Sequence, residues 1–350
     1  MRAGVVESVH RGDIVEADAA GRVLRLVGDP ERLVNLRSAV KPFGLLALLG
    51  AGGEAELDLT SEEIAIMASS HSGEDVHVRT IQAMYRRLGV PQSALACGSE
   101  GMPLDPLTAS RLARDGERPG PLRHMCSGQH SVFILLAKLG GWDLGTYWEA
   151  DHPAHRAYRS AVAAAYNVPS DQLRTGIDSC GVLTYAFPLH EVARAFAILA
   201  DPDALPAGDP RTALAGHFVT VRDAMLRNAD LVGGTHDRLD TSLMKALPGR
   251  IVSKNGREAL QAMAILPGKR SSGLIHAATG MAVKIEDGSG YERGTWAATV
   301  EALRQAGALD GQALRMLGRY HRPSTVDSHG RTVAEAVADF DLAPMGELLG

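Results

Sequence analysis

The sequence predicts a mixed α/β (α+β) chain, in which one antiparallel sheet is built from strands at both ends and a mainly helical region lies between them. Three observations carry this. Short apolar runs with partial alternation fill the first thirty residues, and similar runs return between residues 250 and 285. Between them, apolar residues recur at helical spacing behind capping signals. The chain reads as a single domain, 1–350, with the sheet from about 1–30 and 250–290 and the helical region at about 40–240. A chain of this length buries a sizeable core.

In order, Val5–Val9, Ile14–Ala17 and Arg22–Val27 read as strands, with turns at Arg11-Gly12 and Ala20-Gly21. Pro42 cannot donate a backbone hydrogen bond, so a regular helix starts near Lys41 and leaves Ser38 in the turn that enters it, with an open hydroxyl. Phe43 to Ala51 is too short to cross a membrane and reads as buried helix. Thr60-Ser61-Glu62-Glu63 is a capping box, and Glu74 to Leu88 is a helix stopped by Gly89. The nearly all-apolar Ser131–Leu139 is a central helix, followed by helices at His155–Tyr166, His190–Leu199 and Arg211–Leu226. Asp201 to Asp209, rich in Pro and Asp, reads as exposed loop. Arg250–Lys254, Leu260–Leu266, Leu274–Ala278 and Met281–Ile285 are β-compatible, and helices at Trp296–Ala306 and Thr332–Leu342 close the chain.

Apolar content of 45% and charged content of 22% are those of an ordinary globular protein, and 36 basic against 41 acidic residues give no basic surface for nucleic acid or membrane. The N-terminus carries no apolar signal core, and three cysteines in so long a chain fit a reducing compartment, so a cytoplasmic location is expected. No Walker A loop, HExxH or dinucleotide fingerprint occurs, so no organic cofactor is expected.

Ser38-Ala39-Val40-Lys41 is the leading chemical feature. A serine hydroxyl is a weak nucleophile until its proton is taken, and an uncharged lysine one helical turn away does that. The same residues are also consistent with a capping serine and a solvated lysine. Ser72, in Ser69-Ser70-His71-Ser72-Gly73, is either a proton relay or part of a helix end held by Gly73. Lys254, before Asn255-Gly256, is either a positive charge for a carboxylate or an edge-strand lysine. Cys126 and Cys180 sit in Gly-marked turns. With His130 or Asp178 they offer soft zinc ligands. Cys126 at a helix start is alternatively a reactive thiol, or both cysteines are buried and inert, as Cys97 is expected to be.

Taken in order, these motifs resemble the rhizobial-type L-asparaginases, a zinc-associated Ser/Lys family. The resemblance runs through Val6-Glu7-Ser8-Val9-His10-Arg11-Gly12, Arg37-Ser38-Ala39-Val40-Lys41-Pro42-Phe43, Ser70-His71-Ser72-Gly73-Glu74 and Met125-Cys126-Ser127-Gly128-Gln129-His130. It continues through Gly141-Trp142, His152-Pro153, Ile177-Asp178-Ser179-Cys180-Gly181-Val182, Gly233-Gly234, Val252-Ser253-Lys254 and the segment from Gly280 to Gly288. It implies a fold similar to serine β-lactamases and glutaminases, and hydrolysis of L-asparagine to L-aspartate and ammonia by a homodimer. It further implies Ser38 as nucleophile, Lys41 as its base and Ser72 with Lys254 as a second Ser–Lys pair. Arg37, His130 and Asp178 would serve the substrate, and Cys126 and Cys180 a zinc ion.

The family's third zinc ligand is a lysine, where this chain has Gln129, a much poorer donor, so zinc binding is expected to be weakened. After Lys254 the chain reads Asn255-Gly256-Arg257-Glu258-Ala259 in place of the family's Gly-Ala-Glu-Gly, and Ser179 replaces a common glycine. Two other readings stand beside the asparaginase. One is a Ser/Lys amidase or penicillin-recognising enzyme with another substrate, which the Ser-x-x-Lys and Lys-x-Gly pair supports. The other is a non-catalytic amino-acid-binding homologue.

Overall fold

The computed structural model describes residues 1–270, 275–288 and 291–345. They form two compact units, the first of residues 1–39, 187–208 and 242 onward, the second of residues 40–186 and 209–241.

The first unit holds the sheet that the sequence predicts. Its six strands run in the order Ala343–Pro344, Val23–Val27, Gly12–Ala17, Thr279–Ile285, Leu260–Ile265, Ile251–Asn255, so N-terminal and C-terminal strands meet at its centre. Every neighbouring pair is antiparallel. The central pair is registered from Gly12 opposite Ile285 to Ala17 opposite Gly280, and a bulge at Glu16/Ala17 interrupts the pairing with Val23–Val27. Leu260–Ile265 is buried along its whole length, which fits a strand covered on both faces. The helix Leu189–Ala200 packs on these strands, and Leu189, Val192, Ala193, Phe196 and Ala197 are among its buried residues.

Two expectations fail in this unit. Val5–Val9 is not a strand: only an isolated bridge between Arg2 and Val5 forms, and Val5, Val6 and Val9 are exposed. Among the described residues no strand pairs along this run, so its valines stay unburied. Thr332–Leu342 is not a helix. Thr332–Glu335 pairs with Ser324–Val326 in a hairpin, whose turn is fixed by Asp327 accepting from the backbone of His329 and Arg331. Of the expected run Leu274–Ala278, Leu274 lies outside the described residues, and Ile275–His276 pairs with Gly268–Lys269.

The second unit is mainly helical. The Thr60–Glu63 capping box forms as read and starts the helix Ser61–Met67. Asp75–Leu88 ends at Gly89 in the left-handed conformation. Ser127–Gly140 is buried from Ser127 to Ala137 and packs against Ser61–Met67 and Pro153–Tyr166. Phe133 on this helix stacks on Tyr158, with ring centroids 4.6 Å apart, and on His155 at 4.2 Å. A two-stranded antiparallel ladder joins Arg174–Ile177 to Leu183–Ala186. Among the described residues no helix is long and apolar enough to cross a membrane.

Candidate active site

Arg37–Val40 is a 3₁₀ turn that leads directly into the short helix Lys41–Gly44, as Pro42 dictates. Val40, not Ser38, occupies the capping position, which removes the reading of Ser38 as a simple cap. The hydroxyl is not open to solvent either, since Ser38 is 4% exposed. Arg37 has a φ of +46°, a left-handed conformation that costs a non-glycine residue energy and persists only where the surroundings enforce it. Lys254 lies on the outermost strand, yet it is fully buried, unlike a solvated edge lysine. Its Nζ donates to Asn255 O at 2.8 Å and Asn255 Oδ1 at 3.2 Å. The strand end it belongs to abuts the turn that carries Ser38. A Cβ on Gly256 would stand 2.8 Å from Leu36 O, so only glycine admits that approach.

In the second unit, Lys41 is 1% exposed, which removes the solvated-lysine reading. Its Nζ lies 2.8 Å from Ser69 O, 3.2 Å from Ser70 Oγ, 3.3 Å from Met125 O and 3.4 Å from Cys126 Sγ. The segment Ser69–Gly73 is not the end of a helix held by Gly73. The preceding helix stops at Met67, and the segment runs on as buried, irregular chain. Its carbonyls are met by other groups: Ser69 by Lys41, Ser70 by Arg238 Nη2 at 2.7 Å, Ser72 by Asp105 N at 3.0 Å and Gly73 by Arg123 Nη1 at 2.8 Å. Backbone polar groups of a buried loop need such partners.

Ser72 is 1% exposed and donates to Glu74 Oε1 at 2.6 Å. Glu74 also accepts from Thr235 N at 2.8 Å and Thr235 Oγ1 at 2.5 Å. Burial pushes this carboxyl up, but the hydrogen bonds from Ser72 and Thr235 outweigh it and hold Glu74 below the usual carboxylate range. Beside it, His71 and His77 stack with centroids 4.7 Å apart, and burial holds both below the usual imidazole range. His71 Nδ1 accepts from Gly73 N, so its Nε2–H faces Ser127 Oγ at 2.8 Å.

Cys126, before the helix Ser127–Gly140, is hydrogen-bonded to Cys180. That bond, with Lys41 nearby, favours the Cys126 thiolate against the opposing effect of burial, and the same bond and burial keep Cys180 a thiol. Burial pushes Cys97 up to about 12, as suits an inert structural thiol. Gln129 Nε2 donates to Tyr158 Oη at 3.2 Å. Among the described residues, no third His, Cys, Asp or Glu joins the two cysteines within reach of one ion. The two cysteines, with an amide turned onto a tyrosine, supply two donors, short of the three or four protein donors of a zinc site. His130 is fully buried and driven down to about 3 by desolvation; Nδ1 bonds Tyr147 Oη at 2.6 Å, and Nε2 has no hydrogen-bond partner among the described residues. Asp178 is half-buried and accepts from Ser179 N at 2.6 Å.

Within the second unit, Lys41 and the two cysteines thus meet, while Ser72 pairs with a carboxylate. Glu74, Asp105, Thr235 and His236 were absent from the candidate residues. Glu74 stands in the Ser72-Gly73-Glu74 stretch and Thr235-His236 directly after Gly233-Gly234, which were the available signals.

The family model described as L-asparaginase II matches residues 1–338. No curated protein matches the chain. Among solved structures, one of Mglu is 16% identical over 79% of this chain and 61% of that one, with a TM-score of 0.37. A probable glutaminase of Bacillus subtilis is 10% identical over 79% of this chain and 81% of that one, with a TM-score of 0.36. Mglu in its native form is 16% identical over 89% and 69%, with a TM-score of 0.36. The chain thus spans less than two thirds of the first Mglu chain. The match over residues 1–338 places this protein in the L-asparaginase II family.

Proposed function

We propose that the protein hydrolyses L-asparagine to L-aspartate and ammonia through an acyl-enzyme on Ser38. Family membership supports amide hydrolysis, and the observation that carries the finer reading is the burial of Lys41 among acceptors directly after the Ser38 turn. In the uncharged form that this reaction needs, an amine has two N–H bonds to give to the acceptors around Nζ, the carbonyls of Ser69 and Met125 among them, and a lone pair to take the hydroxyl proton.

Ser38 Oγ attacks the side-chain amide carbon as Lys41 takes its proton. The C–N bond then breaks, the proton passes to the leaving ammonia, and a β-aspartyl ester remains on Ser38. Water cleaves the ester and restores the hydroxyl. Lys254 supplies positive charge near the turn, and Ser72, polarised by Glu74, relays protons. Arg37, Asp178 and the unpartnered Nε2 of His130 position the substrate. No step passes through zinc. The enzyme works as a homodimer, which light scattering checks.

The test is ammonia release from L-asparagine, beside L-glutamine, by the wild type and Ser38→Ala. Asparagine turnover that disappears in the variant is expected. Full turnover in Ser38→Ala would remove Ser38 as nucleophile. A preference for glutamine or another amide would change the substrate.

A further inference from the structure

We propose that Glu74, Asp105 and His236 form a binding site for one divalent metal ion of the manganese class, distinct from the cysteine pair. One ligand atom from each of the three lies within 4.8 Å of the others, the spacing that a single ion bridges. The second observation is an oxygen left over. Asp105 is 3% exposed, and its Oδ2 accepts from Thr108 N at 2.7 Å and Thr108 Oγ1 at 2.6 Å as the cap of the helix Pro106–Asp115. Its Oδ1 accepts no hydrogen bond among the described residues and faces His236 Nδ1, 3.6 Å away and beyond hydrogen-bond reach. A buried carboxylate oxygen left without a partner is costly, and a cation satisfies it.

Glu74 supplies the second oxygen. Oε1 is taken by Ser72 and Thr235 N, while Oε2 accepts from Thr235 Oγ1 and stands 3.8 Å from His236 Nδ1. Two carboxylates this close repel each other, and an ion between them removes the repulsion. Three features hold the ligands in place. Asp105 N is bonded to Ser72 O, Arg238 clamps Gly233 O and Ser70 O at 2.7 Å each, and Gly234 permits the loop to close over Glu74. Gly234 has a φ of +144°, and a Cβ there would stand 1.9 Å from Ser72 Oγ. His236 is half exposed, so the site opens to solvent and leaves positions for water. Its contact with Thr235 Oγ1 at 2.9 Å is what a metal ligand bond would replace. Two carboxylate oxygens and one imidazole suit Mn²⁺, whereas thiolates select softer ions.

The purified full chain is titrated with MnCl₂, following free Mn²⁺ by electron paramagnetic resonance, beside Asp105→Asn, His236→Ala and Cys180→Ser. The wild type is expected to take up one Mn²⁺ per chain. Asp105→Asn and His236→Ala weaken binding about tenfold or more, and Cys180→Ser binds as the wild type does. Absence of Mn²⁺ uptake at millimolar ion overturns the proposal, as does equal binding by His236→Ala. Loss of binding in Cys180→Ser would move the ion to the cysteines and overturn it too. His236 is exposed, so its variant keeps the test decisive if Asp105→Asn does not fold. The readout needs no amidase activity, so the site and the proposed reaction stand or fall separately.

Discussion

The two ends of the buried segment Ser69–Glu74 treat their hydroxyls in opposite ways. At one end, Lys41 Nζ lies 3.2 Å from Ser70 Oγ and is shared with two carbonyls and the Cys126 sulfur. At the other, Ser72 gives its proton to a carboxylate held ionised by its hydrogen bonds. A carboxylate acceptor draws the proton from an oxygen and raises its basicity, whereas a lysine does so only when it carries a free lone pair. The Lys41 end therefore organises several backbone strands of chain, and the Glu74 end polarises one hydroxyl.

Lys41→Met tests the organising end and has the largest expected effect. It strips the donor from Ser69 O and Met125 O, both buried, so a loss of about 3 kcal/mol in urea unfolding is expected. Turnover should fall below about a thousandth of wild type. A fully stable Lys41→Met protein would show that these contacts are incidental.

Glu74→Gln tests the other end. An amide no longer draws the Ser72 proton, so kcat for ammonia release is expected to drop about 100-fold. If Glu74 serves only to hold the Thr235 loop, the melting temperature will fall while kcat stays near wild type.

A smaller effect separates the packing behind both ends from the chemistry. Burial drives His155, stacked on Phe133 with both ring nitrogens unbonded among the described residues, from the ordinary 6.5 down to about 4. Its neutral form is favoured in the folded state, so its stability contribution is complete above pH 6.5 and is lost as pH falls toward 4. The loss is about 3 kcal/mol across that window. His155→Phe should flatten the acid limb of stability measured by chemical unfolding; an unchanged limb would assign the acid sensitivity elsewhere.

The smallest change expected is spectroscopic. With Gln129 turned onto Tyr158, added Co²⁺ should give the wild type no thiolate charge-transfer band. Gln129→Lys, which restores a third donor beside Cys126 and Cys180, should produce one. A band in the wild type would mean that the two cysteines hold a metal without it.

The sequence made some features readable because their signals are local. The strands Gly12–Ala17, Leu260–Ile265 and Thr279–Ile285 follow from short apolar runs between turns, and the Thr60–Glu63 box from its own four residues. Val5–Val9 misled because a short valine-rich run records a tendency to pair and says nothing of whether a partner strand lies alongside. Thr332–Leu342 misled because its Val/Ala spacing suits a helix, while the Asp327-to-Gly330 turn before it commits the chain to a hairpin. In the site, Ser38 and Lys41 share one turn of sequence and were visible together. Glu74, Asp105 and His236 come from three separate segments and meet only on folding. Asp105 was readable at most as a helix cap ahead of Pro106, and nothing local announces the direction of its second oxygen.

The acyl-enzyme itself offers the most direct test. The protein is mixed with L-asparagine, quenched in acid within the first turnovers, digested and mapped by mass spectrometry. A β-aspartyl ester on the peptide that contains Ser38, absent from Ser38→Ala, is the result the account predicts. Steady ammonia release with the adduct on Ser72 or Cys126, or with no adduct on any residue under conditions that trap esters, would contradict it.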